Sequence, residues 1–333
     1  MDVKCGVNFL LVINNYDYIK MPAIVTYAIA KSILFGEHAV VYGFPSIAIP
    51  LKNMRTRVVI TPRILGNDDR ILIKAPDLSI EKFLDQFDEE NEYHKIVHLF
   101  QQNFKLKRIP PFELMITSEI PTAAGLGSSA SSSVAMIKAV SQFLGLKLSR
   151  ENISDYAFEI ERFHHGNPSG VDNTVVTFEK PIYYQKDKNI HFLEIKKPFH
   201  LVFADSGMRS KTVEVVEQVR LRKNKQPALY QRILEDIGEI TKNAKKAIIE
   251  NDFARLGDLM TANHELLQKI KVSNRLIDSL VSNALENGAL GAKLCGAGNG
   301  GFVIALAEND KTEEIMSAFR KTGTKNIFSS IIE

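Results

Sequence analysis

The chain has 333 residues, 45% hydrophobic and 24% charged, the make-up of a globular protein long enough for about two domains and a sizeable core. Its 42 Lys and Arg against 39 Asp and Glu leave a net charge of +3 with no long block of one sign, which points away from nucleic acid and membrane surfaces and toward a small-molecule partner. The two cysteines, Cys5 and Cys295, lie far apart without CxxC spacing, which excludes a disulfide scaffold and a Cys-rich zinc site and suits a reducing cytoplasm.

In chain order, the longest early apolar run, residues 9–13, is far too short to cross a bilayer and lacks the flanks of a signal peptide. The segment PAIVTYAIAKSILFGEH after Met21 reads as the first strand of a domain, so residues 1–20 are expected to be a dispensable extension; a first strand built from FLLVI is the alternative. β-type runs at 24–35, 46–50, 55–60, 71–74 and 112–119 make the first third strand-rich. A helix follows at 129–144, with Val134, Ile137, Val140 and Leu144 on one face and Gly145 past its end. A second starts after the cap candidate Ser149 and aligns Ile153, Ala157, Ile160 and Phe163 before Gly166. Strands are expected at 175–178 and 182–185. From residue 200 the order is a strand at 200–205, several long helices, strands at 290–295 and 302–307, a helix at 311–321 and a strand at 326–332. That βαββαβ order, with an enlarged first crossover, predicts a ferredoxin-like second domain. The division is expected near residue 196, giving units of 21–195 and 196–333.

Four segments carry chemistry. In AKSILFGEHAVVYG, residues 30–43, Lys31 and the pair Glu37 and His38 flank an apolar strand that turns at Gly36; taken alone, they read more readily as solvated strand-end residues. The second, PTAAGLGSSASSS, has the form of a phosphate cradle. Pro121, Thr122, Ala123 and Ala124 lead into Gly125, Leu126 and Gly127, where backbone N–H groups can approach an anion without Cβ obstruction. Ser128, Ser129 and Ala130 then open a helix whose positive dipole end points at the same place. A small-residue helix start packed closely on a sheet is the competing reading. A Walker A loop needs Lys after its last Gly, and Ser128 stands there, so the cation facing a nucleotide must come from elsewhere.

The third segment, ERFHHGNPSGVDN, closes a helix, turns, and presents Asp172 where the chain enters an expected strand. Glu161 and Asp172, 172 − 161 = 11 residues apart across the reversal, could divide labour, one holding Mg²⁺ and the other meeting a substrate hydroxyl. An Asx-type turn residue and a solvated helix face are the plainer alternatives. His164 and His165 invite a metal, but no HExxH-like spacing supports one. In the fourth, KLCGAGNGGFVIAL, Gly296, Gly298 and Gly301 match GxGxxG yet lead into a strand, not a helix, which rejects a dinucleotide fingerprint. A glycine hairpin that closes over a ligand is the better expectation.

These four segments, in this order and at these spacings, resemble the GHMP small-molecule kinases and, within them, the mevalonate kinase family, over roughly residues 25–305. The resemblance implies an α+β, two-domain GHMP kinase fold, with a ribosomal S5 domain 2-like N-terminal domain and a ferredoxin-like C-terminal domain. It also implies ATP- and Mg²⁺-dependent phosphorylation of the C5 hydroxyl of mevalonate, in the cytoplasm, without nucleic acid or membrane as partner; a homodimer is left open. By position, Asp172 matches the family's catalytic aspartate, Lys31 the lysine beside it, and Glu161 with Ser128 or Ser129 the Mg²⁺ ligands, Ser129 being favoured. Glu37 and His38 match the acceptor-lining segment, residues 121–130 the triphosphate loop, and Gly296 and Gly298 the loop closing on the site. Three positions depart from the family: Ile29-Ala30 replaces Pro-Gly before the lysine, Cys295 stands where Thr is common, and Asn299 where Gly is. The rival expectations are another kinase of the superfamily, acting on phosphomevalonate, homoserine or a sugar, and a silent ATP-binding regulator, which would predict loss of Lys31, Glu161 or Asp172.

Overall fold

The computed structural model describes residues 22–63, 69–165, 169–186 and 190–333. The expected extension at 1–20, the turn at 166–168 and the side chains of His164 and His165 lie outside the described residues.

Strands β1 (Ile24–Phe35) and β2 (Ser46–Pro62), buried almost continuously over Ala28–Ser32 and Ser46–Leu51, make an antiparallel pair, the backbone of a sheet of seven strands among the described residues. The two runs expected at 46–50 and 55–60 are one strand: Ile29 pairs with Arg55 and Ala30 with Leu51, so the ladder skips Lys52, Asn53 and Met54. This bulge falls immediately before Lys31, at the Ile29-Ala30 pair that departs from the family pattern. The sheet continues with β3 (Leu72–Ala75), β4 (Ile80–Phe83) and, after helix α1 (Glu92–Phe104), β5 (Phe112–Ser118). Helix α1 has no counterpart among the expected elements, although Asn91 caps it by accepting from the Tyr93 N–H at 2.9 Å and Tyr93, Ile96, Leu99 and Phe100 form its buried face.

Helices α2 (Ser128–Phe143) and α3 (Arg150–His165) cover one face of the sheet. Helix α2 lies close on β1 because its serines are small and polar: Ser131 Oγ donates to the Ala28 carbonyl at 2.9 Å, while Thr26 Oγ1 of β1 donates to the Ala135 carbonyl at 2.7 Å. The strand expected at 175–178 is instead the end of helix α4 (Val171–Phe178). Gly170 at φ +81° starts it, Thr174 Oγ1 bonds back to the Gly170 carbonyl at 2.7 Å, and Val171 and Val175 pack on Val40, Ala48 and Ile182. Tertiary burial of one helical stripe overrides the β-propensity of VVTF. Strands β6 (Ile182–Tyr184) and β7 (His191–Phe192) complete the sheet in the order β4-β3-β5-β2-β6-β7, with β1 on β2.

The second sheet begins at β8 (Phe199–Asp205) and receives, after α5 (Thr212–Lys225), α6 (Pro227–Glu250), α7 (Phe253–Lys269) and α8 (Arg275–Glu286), the strands β9 (Gly291–Leu294) and β10 (Phe302–Ala307), then α9 (Thr312–Lys321) and β11 (Ile327–Ile332). Its order β11-β8-β10-β9, antiparallel throughout, is the ferredoxin-like order expected from the sequence. A single apolar cluster joins the two sheets, with Leu34 and Phe35 of β1, Leu201 and Phe203 of β8, Phe302 and Ile304 of β10, and Ala124 and Leu126 of the loop before α2. That loop is therefore anchored in the core shared by both units. Among the described residues no helix is long and apolar enough to cross a membrane.

Candidate active site

Lys31 projects from β1 just past the bulge, and its own N–H donates to the Leu126 carbonyl at 3.1 Å, joining strand and loop. The Lys31 stem then crosses Gly127, where a Cβ would lie 2.7 Å from Lys31 Cγ and 2.9 Å from Cε, at a φ of +74°. Glycine alone satisfies both the backbone and the space. Beyond it, Lys31 Nζ meets Asp172 Oδ2 at 2.9 Å. Burial works against the ammonium charge, but the acidic groups around it, Asp172 foremost and Glu161 among them, together outweigh it and the pKa of Lys31 is raised. The cation missing from the loop is thus supplied from the neighbouring strand.

Asp172 sits in the first turn of α4, where the helix dipole favours its charge. Asn173 fixes that turn to α3 by donating to the Ser154 carbonyl at 3.0 Å and to Ser154 Oγ at 2.9 Å. On α3, Glu161 faces the same group of charges. Burial pushes its carboxyl up to about 8, the charge of Asp172 adds to the rise and Lys31 opposes it. Its Oε2 is buried with no hydrogen-bond partner among the described residues. The expected trio of Lys31, Glu161 and Asp172 is therefore brought together, at the end of the sheet where α2 starts. Ser128 is half-buried and Ser129 exposed, both in the first turn of α2, with Gly127 as its left-handed cap.

The glycines of the fourth segment form a hairpin between β9 and β10, closed by Cys295 N–H to the Phe302 carbonyl at 2.8 Å. A Cβ on Gly296 would come within 3.1 Å of Gly125 Cα, and one on Gly301 within 2.8 Å of the Ala124 carbonyl oxygen. The two glycine loops touch backbone to backbone, one from each unit. Asn299 has φ +56° and its N–H donates to the Val272 carbonyl at 2.7 Å, so the departure from Gly falls on the residue type that best tolerates the left-handed region. Cys295 contacts Ser32 Oγ at 3.1 Å beneath Lys31, and burial raises its thiol pKa.

His38 reaches this hairpin. Its Nε2 lies 2.8 Å from the Ala297 carbonyl, which can only accept, so Nε2 carries the proton and Nδ1 is left as a buried acceptor with no partner among the described residues. Burial pushes its pKa down to about 4, the Ala297 bond opposing the shift. Its backbone is strained at φ 61° and ψ −40°, a conformation costing on the order of 1–3 kcal/mol. Glu37 points the other way: Lys293 takes Oε1 and Asn263 Nδ2 donates to Oε2 at 3.2 Å, so both oxygens are engaged within the protein. A segment with no counterpart in the sequence reading, residues 206–210, walls the hairpin from outside. Ser210 Oγ donates to the Gly298 carbonyl at 2.6 Å, and Gly301 N–H donates to the Met208 carbonyl at 2.9 Å. Its sequence, SGMRS, carries turn residues and no recognisable chemical pattern.

A glycine loop and helix N-terminus facing a buried Lys–Asp pair, with the lysine outside the loop, is a site for small-molecule phosphoryl transfer. Family models agree: that of the GHMP kinases N terminal domain matches residues 91–180 and that of the GHMP kinases C terminal matches 244–325. Mevalonate kinase of Pyrococcus furiosus is 38% identical over 327 residues, covering 92% of this chain and 96% of its own. Mevalonate kinase of Methanocaldococcus jannaschii is 31% identical, covering 88% and 94%. Among solved structures, L. major mevalonate kinase in complex with R-mevalonate superposes with a TM-score of 0.78 at 30% identity, over 93% of this chain and 96% of that one. The chain belongs to the GHMP kinases, in the mevalonate kinase family.

Proposed function

We propose that the protein transfers the γ-phosphoryl group of ATP to the C5 hydroxyl of mevalonate, giving 5-phosphomevalonate, as a cytoplasmic step of isoprenoid precursor synthesis. The observation that carries this reading is the Lys31–Asp172 pair at 2.9 Å, buried on the lysine side and about one quarter exposed on the aspartate side. Asp172 is open enough to meet an alcohol, while the Lys31 ammonium beside it favours a developing alkoxide. The acceptor oxygen forms the new bond to the γ-phosphorus, the bond from that phosphorus to the bridging oxygen of ADP breaks, and the hydroxyl proton passes to Asp172. Phosphoryl-transfer transition states are loose, so orienting the hydroxyl counts as much as removing its proton.

The loop from Pro121 to Gly127 and the first turn of α2 bind the triphosphate through backbone N–H groups. Glu161 suits Mg²⁺, because a buried carboxylate oxygen without a partner beside a second carboxylate is what a cation would satisfy. Ser128 or Ser129 would supply the hydroxyl ligand, and the metal, when bound, would neutralise charge on the phosphates. The Glu37–His38 turn lines the acceptor side, seated on the closing hairpin through His38 Nε2 and the Ala297 carbonyl at 2.8 Å. The units 21–195 and 196–333 then contribute the donor loop and the closing hairpin respectively.

The test is direct. Purified protein with Mg²⁺-ATP and mevalonate is expected to release ADP and give a product whose phosphorylated carbon, read by NMR, is C5. Phosphate on the C3 oxygen, or turnover only with phosphomevalonate, homoserine or a sugar, would overturn the assignment.

A further inference from the structure

Lys293 on β9 is completely buried, and the carboxylate it pairs with, Glu37, is 1% exposed. The two belong to different units: Glu37 lies in the turn after β1, Lys293 in the second sheet. Lys293 also donates to the Leu294 carbonyl at 2.8 Å, and Asn263 of α7 secures the other oxygen of Glu37. An ion pair so fully withdrawn from water is poor evidence of stability for its own sake, because an apolar pair of similar volume serves as well or better. Its position suggests a different use. Glu37 stands between Gly36 and His38, in a turn with little freedom: Gly36 has φ +93° and a Cβ there would lie 2.4 Å from the Pro45 carbonyl oxygen, while His38 holds its strained backbone. Strain of that kind persists only where the surroundings over-determine it. Here the surroundings are the Glu37 side chain locked into α7 and β9 on one side and the His38–Ala297 bond on the other.

We propose that Lys293 is a positioning residue for the acceptor side of the site: by clamping Glu37 it holds the Gly36–His38 turn against the second unit and keeps the His38 imidazole seated on Ala297 of the closing hairpin. The inference rests on the reading that the Gly36–His38 turn lines the acceptor side of the site. It assigns to the lysine of KLCGAG a task separate from the glycines that follow it.

The experiment compares Lys293→Met with the double variant Lys293→Met/Glu37→Gln. The single variant leaves a buried carboxylate alone and is expected to lower the thermal midpoint; the double variant removes that charge and is expected to regain it. In the double variant the KM for mevalonate is expected to rise tenfold or more while the KM for ATP stays within about twofold, since the phosphate loop hangs on Lys31 and not on Lys293. A double variant with native mevalonate KM, or with both KM values raised alike, would overturn the proposal. A second readout does not depend on the substrate: the imidazole ¹⁵N shifts of His38 should report one Nε2–H tautomer in the native protein and a mixture in the double variant. Unchanged shifts would also overturn it. If the native protein leaves mevalonate unphosphorylated, the acceptor assignment fails while the imidazole shifts still decide whether Lys293 sets His38.

Discussion

Among the described residues two buried lysines, Lys31 and Lys293, meet carboxylates, and they behave differently. Lys31 and Asp172 pair at the end of the first sheet with the aspartate side about one quarter exposed; Lys293 and Glu37 pair between the two units with neither side reachable by solvent. The partners of Glu37 use both of its oxygens, whereas Lys31 meets Asp172 at Oδ2 on a side chain about one quarter exposed. The same pair of functional groups thus gives one ion pair able to meet a substrate and one that can only hold elements in place. Exposure of the acid, not the identity of the residues, separates them.

The largest effect should come from breaking the open pair. Asp172→Asn is expected to lower kcat by roughly 10²- to 10⁴-fold with nucleotide binding retained, measured by steady-state turnover beside a fluorescent-nucleotide titration. Near-native turnover would remove Asp172 from the chemistry. Breaking the closed pair should show in stability first: Lys293→Met is expected to cost about 3–5 kcal/mol in urea unfolding, as for other buried pairs with one partner removed. The comparison fails if Asp172→Asn costs as much stability as Lys293→Met.

Gly127→Ala tests how the open pair is threaded. The added Cβ would press on the Lys31 stem at a positive φ, so a loss of about 1–3 kcal/mol and a raised KM for ATP are expected. A variant with native stability and native ATP affinity would show that Lys31 can reroute.

Smaller effects separate the two regions by pH. Glu161 has a folded pKa of about 8 against 4.5 for the free group, so the folded protein holds a proton that the unfolded chain has released. Its contribution to stability is full below about 4.5 and is lost as the pH rises toward about 8. In metal-free protein, Glu161→Gln should therefore raise the thermal midpoint by a few degrees at pH 8 and leave it unchanged near pH 4.5; equal midpoints at both would refute the buried, unpartnered state of that carboxyl. His38 runs the opposite way. Its folded pKa of about 4 lies below 6.5, so its contribution is present above 6.5 and lost as the pH falls through 4. Replacing His38 by Gln should flatten the acid side of the stability profile alone.

How much of this was legible depended on how local the physics is. Strand β1 and strand β10 were bounded correctly from alternation and continuous apolar runs, and the order of the second unit was enough to expect its ferredoxin-like sheet. Helix α4 is not legible locally because VVTF favours a strand by propensity and forms a helix only when Val171 and Val175 are buried against β2 and β6. Helix α1, by contrast, carries local signals, a cap at Asn91 and a buried stripe over residues 93–100. In the site, Lys31, Glu161 and Asp172 were found because charged groups beside glycine-rich turns are conspicuous; segment 206–210 was not, because its contacts are mostly made by backbone.

By itself the sequence determined the phosphate loop, the absence of a lysine within it, and the four segments whose spacing marks a GHMP kinase of the mevalonate kinase family. Those properties rest on residue type and short-range spacing. Only the tertiary structure decided that Lys31 reaches Asp172 across Gly127, that Glu37 is sealed against Lys293, and that His38 is left with a free buried nitrogen. Each of these depends on residues far apart in the chain sharing one buried space, where the withdrawal of water, and not the side chains alone, sets which charges are paired and which can react.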